Sequence, residues 1–304
     1  MIQTNKRYRV VFGACLTQFT IIGLLFSFGL FFKPLQDEFG WSRTLLSSAS
    51  SLAFFVMGLL AIVGGRMNDR FGPRLVLGIT GTAYGIGFLL LSQITEPWQL
   101  FAIFGIFIGL GLGTHDVVTL STIASWFEKS RGVMSGVIKT GTALGQVTMP
   151  PVTAALLLAY GWRQALIFLG LTALILLLTA AFFMARAPVP ENTATGPRTI
   201  GHSFAQARGT RVFWTLCAIQ FLFFPSMMTV PMHLAVHGID LGMTTAKAAT
   251  LLSVLGASSI AGRLTVGTLS DRLGGKRAFL ICFVILLGSL AAFTVTKSHG
   301  VLFL

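Results

Sequence analysis

Gly65-Arg66-Met67-Asn68-Asp69-Arg70-Phe71-Gly72-Pro73-Arg74 is a basic, glycine-marked loop set between two long apolar segments, and it recurs in the second half of the chain. Gly267-Thr268-Leu269-Ser270-Asp271-Arg272-Leu273-Gly274-Gly275-Lys276-Arg277 is the second copy. Both read Gly-x-x-x-Asp-Arg-x-Gly with a cation two residues after the second glycine, and both follow an apolar span whose first half carries serines. A charged turn that merely stops a span explains one copy well and two poorly. An internal repeat of a membrane unit explains both. The glycines allow tight turns and close helix approach, and the cations hold the loop on one side of the membrane. Asp69 or Asp271 can sit at a helix end and pair with a neighbouring cation.

Composition points the same way. The 304 residues are 54% hydrophobic and 10% charged, with 27 Phe, and the mean hydropathy is +0.81. Such a chain has too little polar surface to wrap one soluble core. Its net charge of +13 forms neither a patch nor an aromatic-interleaved stripe. It punctuates apolar spans, which argues against nucleic acid and for a topology signal. Cys15, Cys217 and Cys282 have no ligand spacing and read as packing residues, so neither a disulfide framework nor a metal site is indicated. No cofactor is expected.

The first apolar run, about Val10 to Phe32, follows Lys6, Arg7 and Arg9 and lacks the short core and cleavage site of a signal peptide. Further spans are predicted at 44–64, 75–95, 98–122, 132–157, 164–185, 212–235, 245–267 and 278–297, each close to bilayer length. A tenth begins at Val301. Alternate loops carry 15 and 5 of the Lys and Arg residues, and the positive-inside rule then places the N-terminus and both motif copies in the cytoplasm. The polar stretch from Ala187, with Pro188, Pro190 and Pro197, reads as a linker. The expected organisation is a six-helix half over 1–186, a cytoplasmic linker over 187–211, and a partial second half over 212–304 holding three spans and the start of a fourth. Two further spans are expected beyond the tenth in the full gene product.

The doubled motif resembles the signature between the second and third helices of major facilitator superfamily transporters, with its copy between the eighth and ninth. The resemblance implies an all-α membrane bundle of two six-helix halves, the second incomplete in this chain. The motif glycines and charges, Gly65, Asp69, Arg70, Gly72 and Arg74 with Gly267, Asp271, Arg272 and Gly274, would then be conformational elements. Trp126-Phe127-Glu128-Lys129-Ser130-Arg131-Gly132 and the glycines Gly136, Gly141 and Gly145 resemble a passage of the monocarboxylate transporter and oxalate/formate antiporter families. Phe39-Gly40-Trp41-Ser42-Arg43 is similar to their first outer loop. His233 to Gly242 and Ser259-Ile260-Ala261-Gly262-Arg263-Leu264 are similar to their seventh and eighth spans. Gly109-Leu110-Gly111-Leu112-Gly113 lies mid-span with no strand before it, which favours close helix packing over a phosphate loop.

Charges inside the bilayer are the functional candidates, because each costs about 3 kcal/mol on insertion scales and needs a partner, water or a ligand. Arg263 lies about 12 Å from the second motif loop at 1.5 Å per residue, and Lys139 lies at a similar depth. His115 and Asp116 are near the midplane. Asp116 and Lys139, at comparable depth on consecutive antiparallel spans, are expected to form an internal pair, which leaves Arg263 without an obvious acidic partner. Pro225 and Pro231 could bend the seventh span, with His233 and His237 at its outer end. An unpaired guanidinium suits a carboxylate, whose two oxygens its planar fork can bind. The resemblance also implies that the eighth-span Arg263 binds the substrate anion. Two departures from the monocarboxylate pattern, Ser259 in place of an Asp and no Lys within the first span, weigh against proton coupling by that family's usual route.

The reading is a secondary transporter of small organic anions, monocarboxylates first, with Arg263, Lys139, His115 and Asp116 as substrate residues. A proton or a counter-anion would be the coupling partner, and the expected setting is the lipid bilayer of a bacterial inner membrane with a cytoplasmic N-terminus. Exchange of the oxalate/formate type, a drug exporter of the same superfamily, and a sensor or fragment without transport are the alternatives. An enzyme would need a nucleophile, a base and an orienting group together, and no such set appears.

Overall fold

The computed structural model describes residues 2–188, 204–224, 242–243 and 245–295, and these are almost wholly helical. The helices are α1 (Ile2–Ser27), α2 (Phe32–Phe39), α3 (Arg43–Phe71), α4 (Pro73–Leu91), α5 (Pro97–Ala102), α6 (Gly109–Trp126), α7 (Arg131–Phe183), α8 (Phe204–Arg208), α9 (Arg211–Phe224), α10 (Thr245–Leu273) and α11 (Gly275–Val295). A 3-10 turn, Phe28–Phe31, joins α1 to α2, and a π-helical turn, Ile103–Ile108, joins α5 to α6. Among the described residues five continuous helical stretches are long and apolar enough to cross a membrane: Lys6–Phe39, Arg43–Phe71, Pro73–Leu91, Pro97–Trp126 and Arg131–Phe183. In lipid the backbone must satisfy its own polar groups, and helices do so within one segment. Small hydroxyls inside the spans follow the same rule. Thr17, Thr20 and Ser27 donate to the carbonyls of Gly13, Leu16 and Gly23 one turn back.

α7 is 53 residues long and changes course once, at Gly161, whose φ of 77° is non-helical. A helix of that length would run far beyond a bilayer core. The chain instead doubles back: Val137 and Ala180, on opposite sides of Gly161, both lie against α1 near Cys15 and Gly13. At the far end Trp162 and Arg163 both donate to the carboxylate of Glu38, at 2.6 and 2.5 Å. The expected spans 132–157 and 164–185 are thus the two arms of one interrupted helix.

Two compact units are distinguished, Met1–Ala187 with Ile260–Phe279, and Pro188–Ser259 with Leu280–Leu304. In the first, α1 packs on α7, α4 on α7 and α3 on α6. Its core holds Leu24, Phe28, Phe31, Tyr84, Phe88 and Phe104 among others, all buried. Tyr84 satisfies its hydroxyl by donating to the Ile21 carbonyl at 2.7 Å. The glycines at 109, 111 and 113 do serve close packing: Gly111 lies against the Tyr84 ring and Gly113 against Leu60. In the second unit the Phe223 and Phe283 rings meet edge to face, and Trp214 donates to the Arg208 carbonyl.

Two sequence expectations need correction here, and several others fall outside the described residues. The stretch Gly65 to Phe71 is not a loop but the last two turns of α3, and residues 267–273 likewise end α10. Nothing in Arg-Met-Asn-Asp-Arg stops a helix. Only Gly72 and Gly274, at φ 87° and 84°, do so. Cys217 is exposed, unlike the half-buried Cys15 and Cys282, so a packing role does not extend to it. Pro190, Pro197, Pro225, Pro231, His233, His237 and the tenth span from Val301 lie outside the described residues.

Candidate functional site

The fourth span brings Asp116 to the inner face of α6, where the Lys139 ammonium of α7 lies 2.5 Å from its Oδ1. The same oxygen accepts a hydrogen bond of 2.6 Å from the Gln18 amide of α1. Gln18 also donates to Thr119 at 3.0 Å and accepts from the Thr142 hydroxyl at 3.0 Å. Three spans are therefore knitted by one polar network. The approach that makes it possible is set by glycine: a Cβ on Gly141 or Gly145 would collide with the carbonyls of Cys15 and Phe19 on α1.

The network is not sealed. The side chains of Lys139 and Asp116 are 29% and 44% exposed, whereas that of His115 is only 3% exposed. His115 is turned inward. Its Nδ1 lies 2.7 Å from the Leu112 carbonyl and its Nε2 3.8 Å from Asp116 Oδ1. Arg263, on the α10 segment of the same unit, donates from Nη1 to the backbone carbonyl of Lys139 at 2.5 Å. The guanidinium thus sits on the turn of α7 that carries the lysine, and among the described residues no carboxylate lies within ion-pair distance of it. Sequence reasoning passed over Gln18 and Thr142. Gln18 is the sole amide side chain between Val10 and Phe32, and a strongly polar group mid-span was the available signal.

The motif residues form a second arrangement. Asp271 accepts from the backbone N–H groups of Gly132 and Val133, both at 2.8 Å. These are among the orphan donors at the start of α7, where the helix dipole also favours a carboxylate. Gly267 and Gly132 lie back to back, and a Cβ on either would meet the other's carbonyl oxygen. Gly136 stands in the same relation to the Arg263 carbonyl. In the first copy Arg186 donates to the Asp69 backbone carbonyl at 2.6 Å, and among the described residues no hydrogen bond engages its carboxylate. Neither aspartate has a cation within ion-pair distance among the described residues; helix-end N–H groups take that place at Asp271. Gly65 faces Val117 of α6. Arg70 lies over the Phe71 ring and Arg74 over Phe182, while Arg272 is exposed. Gly72 and Gly274 break their helices alike, each N–H returning to a carbonyl four residues back, at 2.9 and 3.1 Å.

A bundle of apolar helices around a partly open polar network, with a repeated glycine helix stop and a helix-end clamp at Asp271, suits a membrane transporter. The chain belongs to the major facilitator superfamily, whose family model matches residues 14–304. Proteins of this superfamily are transporters and in general not enzymes. The chain is 29% identical over 305 residues to monocarboxylate transporter 13 of Rattus norvegicus, covering 97% of this chain and 69% of that protein. It is 28% identical over 275 residues to MFS-type transporter 1 of Ophiocordyceps sp. (strain BCC 1869), covering 88% of this chain and 60% of that protein. With the uncharacterized MFS-type transporter YhjX of Escherichia coli (strain K12) the identity is 25% over 307 residues, 98% of this chain and 75% of that one. Among solved structures, the proton:xylose symporter XylE bound to 6-bromo-6-deoxy-D-glucose superposes with a TM-score of 0.62 at 16% identity, covering 89% of this chain and 70% of that chain. That likeness is one of fold.

Proposed function

We propose that the protein is a secondary transporter of small organic anions, monocarboxylates first, working by alternating access. The observation that carries this reading is the charge count at the network among the described residues: the Arg263 guanidinium of α10 sits on the α7 turn that carries Lys139, and a single carboxylate, Asp116, lies within ion-pair distance, of Lys139 alone. Among the described residues the network carries one formal positive charge in excess, which an anion would neutralise. The likeness to a relative named as a monocarboxylate transporter supports the same class of solute.

In this reading Arg263 grips the substrate carboxylate with its fork, and Lys139 exchanges Asp116 for the substrate. Gln18 keeps Asp116 hydrogen-bonded when Lys139 leaves it, so the carboxylate is not stranded. His115 stands behind Asp116 and positions it. Asp271, on the start of α7, would hold one state of the cycle and release it as the helices part. The N-terminus and both motif copies would face the cytoplasm of a bacterial cell.

A purely structural role for Arg263 is favoured by the bond it already makes to the Lys139 carbonyl. Uptake of radiolabelled carboxylates into proteoliposomes, with and without a pH gradient, separates the two. Arg263→Lys keeps the charge, on a compact three-donor ammonium, but loses the planar fork. It is expected to weaken anion uptake at least tenfold while membrane insertion stays normal, since a bidentate, charge-assisted contact exceeds a single one by about 1.4 kcal/mol or more. Unchanged affinity and rate would remove Arg263 from the substrate site.

A further inference from the structure

At the end of the bundle that carries the N-terminus, a cleft of about 420 Å³ opens between the start of α1, the Gly72 turn and the end of α7. Lys6, Arg9, Arg74 and Arg186 line it, and among the described residues no carboxylate does. All four are exposed, and none forms an ion pair among the described residues. A cleft lined by charges of one sign focuses its field outward and raises the local concentration of the opposite sign.

The walls of this cleft are fixed. Arg186 donates to the Asp69 carbonyl at 2.6 Å, and Trp126 donates from its indole to the Ala185 carbonyl at 2.8 Å. A Cβ on Gly72 would lie 3.0 Å from Arg186 Nε, so glycine leaves room for that side chain. Arg186 is thereby committed to the wall, and Lys6, Arg9 and Arg74 remain to meet a ligand. Arg74 rests its guanidinium 4.8 Å above the Phe182 ring. Beside it runs an aromatic row: Phe12 packs on Phe183, and Phe183 on Phe182. Phe12 and Phe182 are exposed on the outside of the bundle. Cations above an outward-facing apolar row fit an amphiphile, whereas a free phosphate would leave the row unused.

We propose that this cleft binds the phosphate headgroup of an anionic phospholipid, with Lys6, Arg9 and Arg74 on the phosphate and the acyl chains along Phe182 and Phe12. The site is separate from the Lys139 network and does not depend on which solute the protein carries.

The test uses the full chain, purified in a neutral detergent and titrated with phosphatidylglycerol, phosphatidylcholine or inorganic phosphate. Bound lipid is read by native mass spectrometry, and stability by the unfolding temperature. Phosphatidylglycerol should bind and raise the unfolding temperature, and the other two should not. The triple variant Lys6→Gln, Arg9→Gln, Arg74→Gln should weaken phosphatidylglycerol binding about a hundredfold, at about fivefold for each cation removed. Lys276→Gln with Arg277→Gln, which removes two exposed cations at the end of the second motif copy, should weaken it less than threefold. Arg9→Gln alone, at about fivefold, carries the test if the triple variant does not fold. Equal stabilisation by phosphatidylcholine, or losses in the Lys276 and Arg277 variant as large as in the triple variant, would overturn the proposal. Equal stabilisation by inorganic phosphate would overturn the lipid assignment and leave an anion site.

Discussion

Breaking the pair between Asp116 and Lys139 should reveal a coupling energy of about 2 kcal/mol. The two atoms are 2.5 Å apart, with side chains 44% and 29% exposed. Removing one member of a sealed pair costs about 3–5 kcal/mol, while an exposed pair contributes about 0–1 kcal/mol. A pair open over roughly a third of its surface falls between these limits. The two single variants should not be equal. After Lys139→Met, Asp116 still holds the Gln18 amide and has His115 close by. After Asp116→Asn, Lys139 has no carboxylate left among the described residues, and Arg263 stands on its own turn of helix. Asp116→Asn should therefore be the more damaging single change, and adding Lys139→Met to it should recover much of the loss. Reversible unfolding in mixed micelles, analysed as a double-mutant cycle, measures this. A coupling of 2 kcal/mol is about a thirtyfold change in the folding equilibrium. Losses that add to within about 0.5 kcal/mol would show that the two residues do not act as a pair.

Gly145→Ala, whose Cβ would strike the Phe19 carbonyl, should cost about 1–3 kcal/mol in the same unfolding assay. Gly58→Ala, inside α3 with no described residue within 4 Å of its Cβ, should instead stabilise by about 0.5–1 kcal/mol. Asp271→Asn keeps the shape but loses the charge and one of two acceptors at the start of α7, so thermal unfolding should report a loss of about 1 kcal/mol; no shift would mean the clamp is idle. In a cysteine-free background, Arg7→Cys should resist a membrane-impermeant maleimide added to intact cells while Lys33→Cys reacts, and the reverse result would invert the proposed topology.

The sequence carries the helices and the depth of their charges plainly, because length and hydropathy fix a span and a constant rise per residue fixes a level. That is why the meeting of Asp116 with Lys139 could be anticipated from counting alone. The rotation of each helix about its axis is less legible. Gln18 and Thr142 join the network because Gly141 and Gly145 draw α7 onto α1, and this depends on which faces meet rather than on any local pattern. The same limit explains His115, which shares its depth with Asp116 but is turned into the packed interior. Helix ends were also hard to place. The motif reads as a loop because it is charged, yet helix propensity carries it on to Phe71 until Gly72 intervenes.

Gly161 has a consequence for how the protein is made. Between Lys139 and Arg186 the only formally charged side chain is Arg163, two residues beyond the point where α7 doubles back. A nascent chain with this sequence has no hydrophilic segment to thread across the lipid between the two arms. Both can leave the translocon as one hairpin, and the translocation burden is a single guanidinium. That guanidinium finds its counter-charge already waiting in Glu38, laid down earlier in synthesis.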